Sequence, residues 1–411
     1  MMTLKRSLTL IWLLTCCLVL TGVVSCRNQE IPATGSDPDQ FVLTAEIKGL
    51  NADYLVYKET NDAYPEGIRR DTIRVKNGRF AFSDKIKKHK YYRLLVPQTL
   101  KYLEPDNPRS SYLPSPVTWI EFIGYPGGRT NLKGRITDFA EVYATGEDVS
   151  GELSILKRET YPLLNTIVNI KQDFYKRKGS AREYGAVRDT TMKLFEMVKE
   201  KRRHFIRDHN NSPAAALVLL NAFERREFST EEEKMLFEVL DSVALAKVSF
   251  YQELSQRLEA LEGAVVGHEA PDIALPETNS ERAFALNDLR GNYVLIHFWG
   301  TWCGPCVAEM PKIKAYADEF ADRNFKVVGV DSGDGKDIWQ QFISENNYNW
   351  THLRSVKGEN DLLIPYNVTA LPKKFLISPE GVILAVSEGG SEAIFKKIDE
   401  IFSREHQADS H

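Results

Sequence analysis

Residues 293–299 form a near-continuous apolar run whose one basic member is His297, and four residues beyond its end stands Cys303-Gly304-Pro305-Cys306. An apolar run that short reads as a strand buried on both faces. Pro305 breaks an established helix but fits a first turn, where no backbone partner is lost, and the spacing downstream predicts a helix over 303–320. A buried strand feeding straight into a helix calls for a sheet with crossover connections around it. The rest of the C-terminal third agrees. It predicts a strand at 325–330, a helix at 336–346, a hairpin of 375–377 with 382–386 across Ser378-Pro379-Glu380-Gly381, and an amphipathic helix at 391–404.

Two thiols one helical turn apart at a helix start have a definite chemistry. The unpaired N–H groups and the macrodipole of the first turn favour an anion, which lowers the pKa of Cys303 from the usual ~8.5. Cys303 is thus the candidate nucleophile, and Cys306, one turn in, the resolving thiol of a redox-active disulfide. Half a zinc site is the competing reading, but it needs further Cys or His ligands. None of the eight histidines forms a paired ligand motif with these cysteines. No metal and no cofactor are assigned.

The N-terminus fixes the compartment. Lys5 and Arg6 precede an apolar stretch over 8–20 and then Val23-Val24-Ser25-Cys26, the layout of a secretory signal peptide over residues 1–25. A cysteine after such small residues resembles the bacterial lipobox, which makes Cys26 the lipidation site. The apolar stretch is short for a bilayer span of ~20 residues. Acyl chains contribute ~0.8 kcal/mol per buried methylene, and several together anchor stably. The expected address is the cell envelope, lipid-anchored to a membrane and facing the periplasm or the outside. Of five cysteines, Cys16 and Cys17 leave with the signal and Cys26 is acylated, so Cys303 and Cys306 alone remain. Exported proteins keep structural disulfides; a chain that retains one Cys-x-x-Cys pair retains it for reactivity.

Ahead of the C-terminal unit lie a lipidated N-terminus and linker at 26–40, a β-sandwich or barrel at 41–145 and a helical segment at 150–262; an α/β unit at 264–404 and a tail at 405–411 complete the chain. Strand-like alternation recurs at 41–48, 54–58, 71–76, 91–96 and 117–124, and Asn77-Gly78 between alternating runs is a strong hairpin signal. The middle segment shows helical spacing (Leu194, Met197, Val198; Leu236, Val239, Leu240) and a start signal at Ser229, and reads as a bridge between its neighbours. The formal net charge is −4. The basic clusters at 85–90 and 201–203 are short and interrupted by apolar residues, so no nucleic-acid partner is expected.

Trp302-Cys303-Gly304-Pro305-Cys306 between strand and helix, with residues 298–301 before it, Glu309-Met310-Pro311 behind and Ala370-Leu371-Pro372 near the last hairpin, resembles thioredoxin, and within it the TlpA/ResA-like membrane-anchored reductases. The resemblance spans residues 264–404 and implies an α/β thioredoxin fold with Trp302, Gly304, Pro305 and Leu371 as active-site framework. It implies that Pro372 is a cis-proline that pairs with a substrate strand. Glu309 matches an acidic position that handles the proton of the resolving thiol. His297 stands where thioredoxins carry a buried Asp as proton acceptor, which makes it a catalytic candidate as a proton relay beneath the cysteines, and Lys373-Lys374 replace the usual Thr, a change expected on the substrate-facing surface. The front of the chain resembles the poorly characterised region that precedes this module in bacterial lipoproteins.

The leading expectation is therefore a thiol-disulfide oxidoreductase, a reductase of exported client proteins that carry disulfides, fed by a membrane electron donor. A thiol peroxidase of peroxiredoxin type is an alternative, but such enzymes place Thr or Ser three residues before the reactive Cys, where this chain has Gly300. A non-enzymatic envelope-binding protein that uses its β domain is a third possibility. Both cysteines are present, which favours the enzyme.

Overall fold

The computed structural model describes residues 37–59, 69–102, 115–276, 278–356 and 361–408. The residues read as a signal peptide, Cys26 and the end of the tail lie outside them.

Among the described residues of the N-terminal part, eight strands make two four-stranded sheets packed face to face. They are β1 (Gln40–Lys48), β2 (Tyr54–Glu59), β3 (Arg69–Arg74), β4 (Arg79–Lys85), β5 (Lys90–Leu95), β6 (Trp119–Gly124), β7 (Arg129–Ile136) and β8 (Ala140–Ala144). The sheet orders are β4-β1-β7-β8 and β3-β2-β5-β6. Alternate residues such as Leu43, Leu55, Tyr92 and Phe122 fill the space between the sheets, as the period of two requires. The Asn77-Gly78 turn forms, with positive φ at both residues, but it does not open into a ladder. After the single Lys76–Arg79 bridge, Val75 N donates to Asp53 O and Gly78 O accepts from Ile47 N. β3 thus joins one sheet and β4 the other. A side chain at Gly78 would collide with the Ile47 carbonyl, so the close crossing between sheets demands glycine.

Six helices follow: α1 (Val149–Lys176), α2 (Ala181–Asp208), α3 (Pro213–Glu224), α4 (Thr230–Val239), α5 (Ser242–Leu245) and α6 (Ser249–Gly263). The start at Ser229 is capped as the sequence predicts, Ser229 accepting from Glu232 N, and at α2 Ser180 with Glu183 forms a capping box. α1 is stitched to the sandwich. Ser150 Oγ bonds both backbone groups of Ile123, and the buried Lys157 ammonium donates to the carbonyls of Glu121 and Val142, one from each sheet. Burial pulls the Lys157 pKa down to about 8.

The C-terminal unit holds β9 (Ala274–Leu275), β10 (Phe284–Ala285), β11 (Tyr293–Trp299), α7 (Gly304–Glu319), β12 (Phe325–Ser332), α8 (Lys336–Glu345), β13 (Thr351–Ser355), β14 (Lys373–Ile377), β15 (Ile383–Glu388) and α9 (Ala393–Ala408). Its main sheet has the order β13-β12-β11-β14-β15, with β11 central. β12 runs parallel to β11 and β14 antiparallel. One face packs on side chains of α7, α8 and α9. The other is covered by segments that include Ile273, Leu286 and Tyr366. This is a thioredoxin fold behind a β-sandwich and a helical middle. Among the described residues no helix is long and apolar enough to cross a membrane.

Candidate active site

The burial of β11 on both faces places its C-terminal end, and so the start of α7, at one rim of the sheet. Cys303 is the residue that caps α7, with extended backbone, and its Sγ accepts from Cys306 N at 3.3 Å. The two sulfurs are joined in a disulfide with the Cα atoms 5.3 Å apart. Cys303 keeps 6% of its surface open and Cys306 none, which decides which sulfur a partner can reach first. Trp302 beside them is 58% exposed, its indole N–H held by the Ser332 carbonyl. Before the motif, Thr301 is tied down: its N–H and hydroxyl both donate to Asp334, each at 2.7 Å. Asp334 in turn adjoins Asp331, whose carboxyl burial and the neighbouring Asp334 push well above the usual range.

The peptide bond Leu371–Pro372 is cis. β14 starts at the next residue, and Lys373 lies opposite Phe298. Pro372 therefore sits at the level where β11 turns into the cysteine motif, and its carbonyl accepts from Gly389 N.

Beneath α7 the sheet carries an unusual row. Lys374, His297, Gly329 and His352 are register partners across β14, β11, β12 and β13, so they share one face, the one that packs on α7. Gly329 is what admits the row: a Cβ there would lie 2.5 Å from His352 Nδ1. Both imidazoles are buried, and neither nitrogen of His297 has a hydrogen-bond partner among the described residues. Desolvation pulls His297 down to about 3, helped by the Lys374 charge and His352; desolvation does the same to His352. His297 is thus neutral at physiological pH, not a cation stabilising the thiolate. The Lys374 side chain is fully buried and its Nζ lies 2.6 Å from Glu309 Oε2, with a further bond to Gly389 O at 3.1 Å.

That last contact corrects the sequence reading of Lys373-Lys374 as substrate-facing. Alternation sends the two lysines to opposite faces, and both are buried. Lys374 meets Glu309, while Lys373 donates to Asn367 O and pairs with Glu388. Glu388 is also gripped by Arg226, whose Nη2 reaches both carboxylate oxygens and Thr369 Oγ1. A residue of the helical segment is thereby fastened beside the cis-proline strand. Nothing in the local sequence signals Arg226 or the Asp331–Asp334 pair. Among the described residues no group of three or more His, Cys, Asp or Glu side chains is arranged to hold a metal ion.

A disulfide at the start of α7, the cis-proline strand and a sheet of this order define a thiol-disulfide oxidoreductase of thioredoxin fold. The chain is 34% identical over 123 residues to the thiol-disulfide oxidoreductase ResA of Bacillus subtilis, covering 30% of this chain and 67% of that protein. It is 31% identical over 147 residues to the thiol:disulfide interchange protein HelX of Rhodobacter capsulatus, covering 35% of this chain and 81% of HelX. The chain belongs to the TlpA/ResA-like thioredoxin family. The AhpC/TSA family matches residues 266–386, and a domain of unknown function, DUF4369, matches residues 41–110. Among solved structures, the thioredoxin domain of a thiol-disulfide oxidoreductase from Bacteroides vulgatus is 27% identical, covering 33% of this chain and 97% of that one, with a TM-score of 0.31.

Proposed function

We propose that the protein is a reductase of disulfides in exported proteins, with Cys303 as the attacking thiolate and Cys306 as the resolving thiol. The observation that carries this is the asymmetry of the pair: Cys303 caps α7 and keeps open surface, while Cys306 is sealed. In the reduced protein the Cys303 thiolate attacks one sulfur of a client disulfide; the client's other sulfur leaves as a thiolate, and a mixed disulfide forms. Cys306, having given up its proton, attacks Cys303 Sγ. The intermolecular bond breaks, the second client thiolate leaves, and the Cys303–Cys306 disulfide is the oxidised product. Glu309, one turn beyond Cys306 and paired with Lys374, is the proposed acceptor of that proton. The backbone at Pro372 is the proposed edge for an extended client segment. His297 enters as a neutral imidazole below the helix.

The address belongs to the same proposal. A signal peptide over residues 1–25 and an acylated Cys26 would hold the enzyme on a membrane outside the cytoplasm, where a membrane electron-transfer protein returns electrons to the disulfide. What supports this is the N-terminal sequence and the retention of a single Cys-x-x-Cys pair after it. Residues 41–145 and 150–262 are read as separate units that carry the redox unit of residues 264–404.

Purified protein should reduce insulin with dithiothreitol as donor, Cys303→Ser should abolish the reaction, and Cys306→Ser should accumulate client mixed disulfides on Cys303. Equal rates for wild type and Cys303→Ser would overturn the assignment.

A further inference from the structure

A cavity of about 700 Å³ lies between the outer face of β5 and β6 and helices α1 and α2. Its floor is apolar, built from Leu164, Ile167 and Val168 with Phe195 of the same cluster. Its walls carry Arg93, Lys171, Lys199, Arg202, Arg225 and Arg226 against the two carboxylates Glu121 and Glu227. This concentration of cations stands in a chain whose net charge is −4.

The carboxylates do not balance them. Glu227, nearly fully buried, is bonded to Arg202 and at the same time lies 3.8 Å from Arg225. Glu121 accepts from the Tyr161 hydroxyl at 2.7 Å. Arg226 turns its guanidinium to Glu388, and Lys199 pairs with Glu196 on its own helix. Arg93 and Lys171 have no carboxylate within ion-pair distance among the described residues. Arg93 instead lies over the Trp119 and Tyr91 rings, 5.8 and 5.7 Å from their centroids. Like charges gathered around a pocket with an apolar floor repel one another and focus a positive potential into it, and guanidinium groups match carboxylate and phosphate oxygens in paired hydrogen bonds.

We infer that this cavity is a binding site for a small organic dianion with an apolar body. The acidic groups meet Arg93, Lys171 and Arg225; the body lies on the Leu164–Ile167–Val168 floor and against Trp119. The volume falls within the ~300–1,000 Å³ common to small-molecule sites. The lining contains neither cysteine nor Pro372, and the site gives the segment ahead of the redox unit a ligand of its own.

The test uses 1-naphthyl phosphate as probe, followed by isothermal titration calorimetry on the purified full chain, with 1-naphthol as the uncharged body, inorganic phosphate as the anion alone and naphthalene-2,6-dicarboxylate as the carboxylate form. One naphthyl phosphate should bind per chain, with naphthol and inorganic phosphate each at least tenfold weaker, and rising salt should weaken binding. The dicarboxylate separates the two anion chemistries: affinity within tenfold of the phosphate assigns a general dianion site, and weaker binding assigns a phosphate site. Arg93→Glu with Lys171→Glu, both exposed side chains, should lower affinity at least tenfold and leave insulin reduction unchanged. Lys171→Arg should preserve binding. Naphthol binding as tightly as its phosphate, or equal affinity in the charge-reversed protein, would overturn the site. Should the doubly reversed chain lose its thermal transition, Lys171→Met alone carries the same expectation in direction.

Discussion

Replacing Lys374 with Met isolates the buried pair under the redox helix. The methionine keeps most of the apolar stem and removes the ammonium that meets Glu309 at 2.6 Å and the Gly389 carbonyl at 3.1 Å. Removing one partner of a buried pair costs about 3–5 kcal/mol, because the other is left desolvated. The Glu309 side chain retains 14% exposure against 0% for Lys374, so partial rehydration of the carboxylate places the expected cost at the low end, about 3 kcal/mol. Glu309→Leu, which strands the ammonium in a fully closed site, should cost more. The double variant should recover most of the loss, since a well-packed apolar pair replaces a buried ion pair at little net cost. Urea unfolding followed by near-ultraviolet circular dichroism, with the transition of the redox unit analysed separately, completes the cycle. A loss below about 1 kcal/mol for Lys374→Met, or a double variant as unstable as the worse single one, would refute the reasoning.

Acid should destabilise the fold through the histidine row. His297 and His352 sit at about 3 in the folded protein against ~6.5 unfolded, so the unfolded chain binds more protons between those values. Stability is complete above about pH 6.5 and falls toward pH 3, by up to ~1.4 kcal/mol per pH unit for each histidine; His297→Asn should flatten the fall measured by urea titration at successive pH. The same variant should leave the pH profile of insulin reduction above pH 5 unchanged, because His297 carries no charge there, and a shifted profile would count against the neutral assignment. Gly304-Pro305 adds no charge near the thiolate, so the reduction potential should lie toward the thioredoxin value of ~−270 mV. A value above roughly −180 mV in glutathione buffers would argue for an oxidase or isomerase. Cys26→Ala should release the protein from the membrane fraction, and retention in high salt would place the anchor elsewhere.

The redox strand, the helix and the cysteine pair were legible because each is a local signal: an apolar run, a proline where a first turn tolerates it, and a fixed spacing. The row beneath them was not. Lys374 and Glu309 are 65 residues apart, and two lysines after a proline look solvent-facing until the pairing of β14 with β11 sends one of them under α7. His297 could be picked out as unusual by position, but its neutrality depends on burial and on the charge of Lys374, both products of register. β7 escaped notice since Gly134 interrupts its alternation, and β8 since it is only five residues long. The Asn77-Gly78 turn illustrates the same boundary. Local sequence determines the turn, while the sandwich around it determines where the two arms go.

The place of β1 has a consequence for the order of folding. It lies between β4 and β7 in its sheet, and the pairing with β7 is parallel, joining residues such as Thr44 and Asn131 that are 87 apart. A chain that emerges N-terminus first exposes β1 long before its second neighbour exists, and contacts of such separation form slowly. Until β7 arrives, β1 presents an unpaired edge able to recruit other strands. Release that stops short of residue 129 therefore leaves a sticky half-sheet, and the sandwich closes only once the chain ahead of α1 is complete.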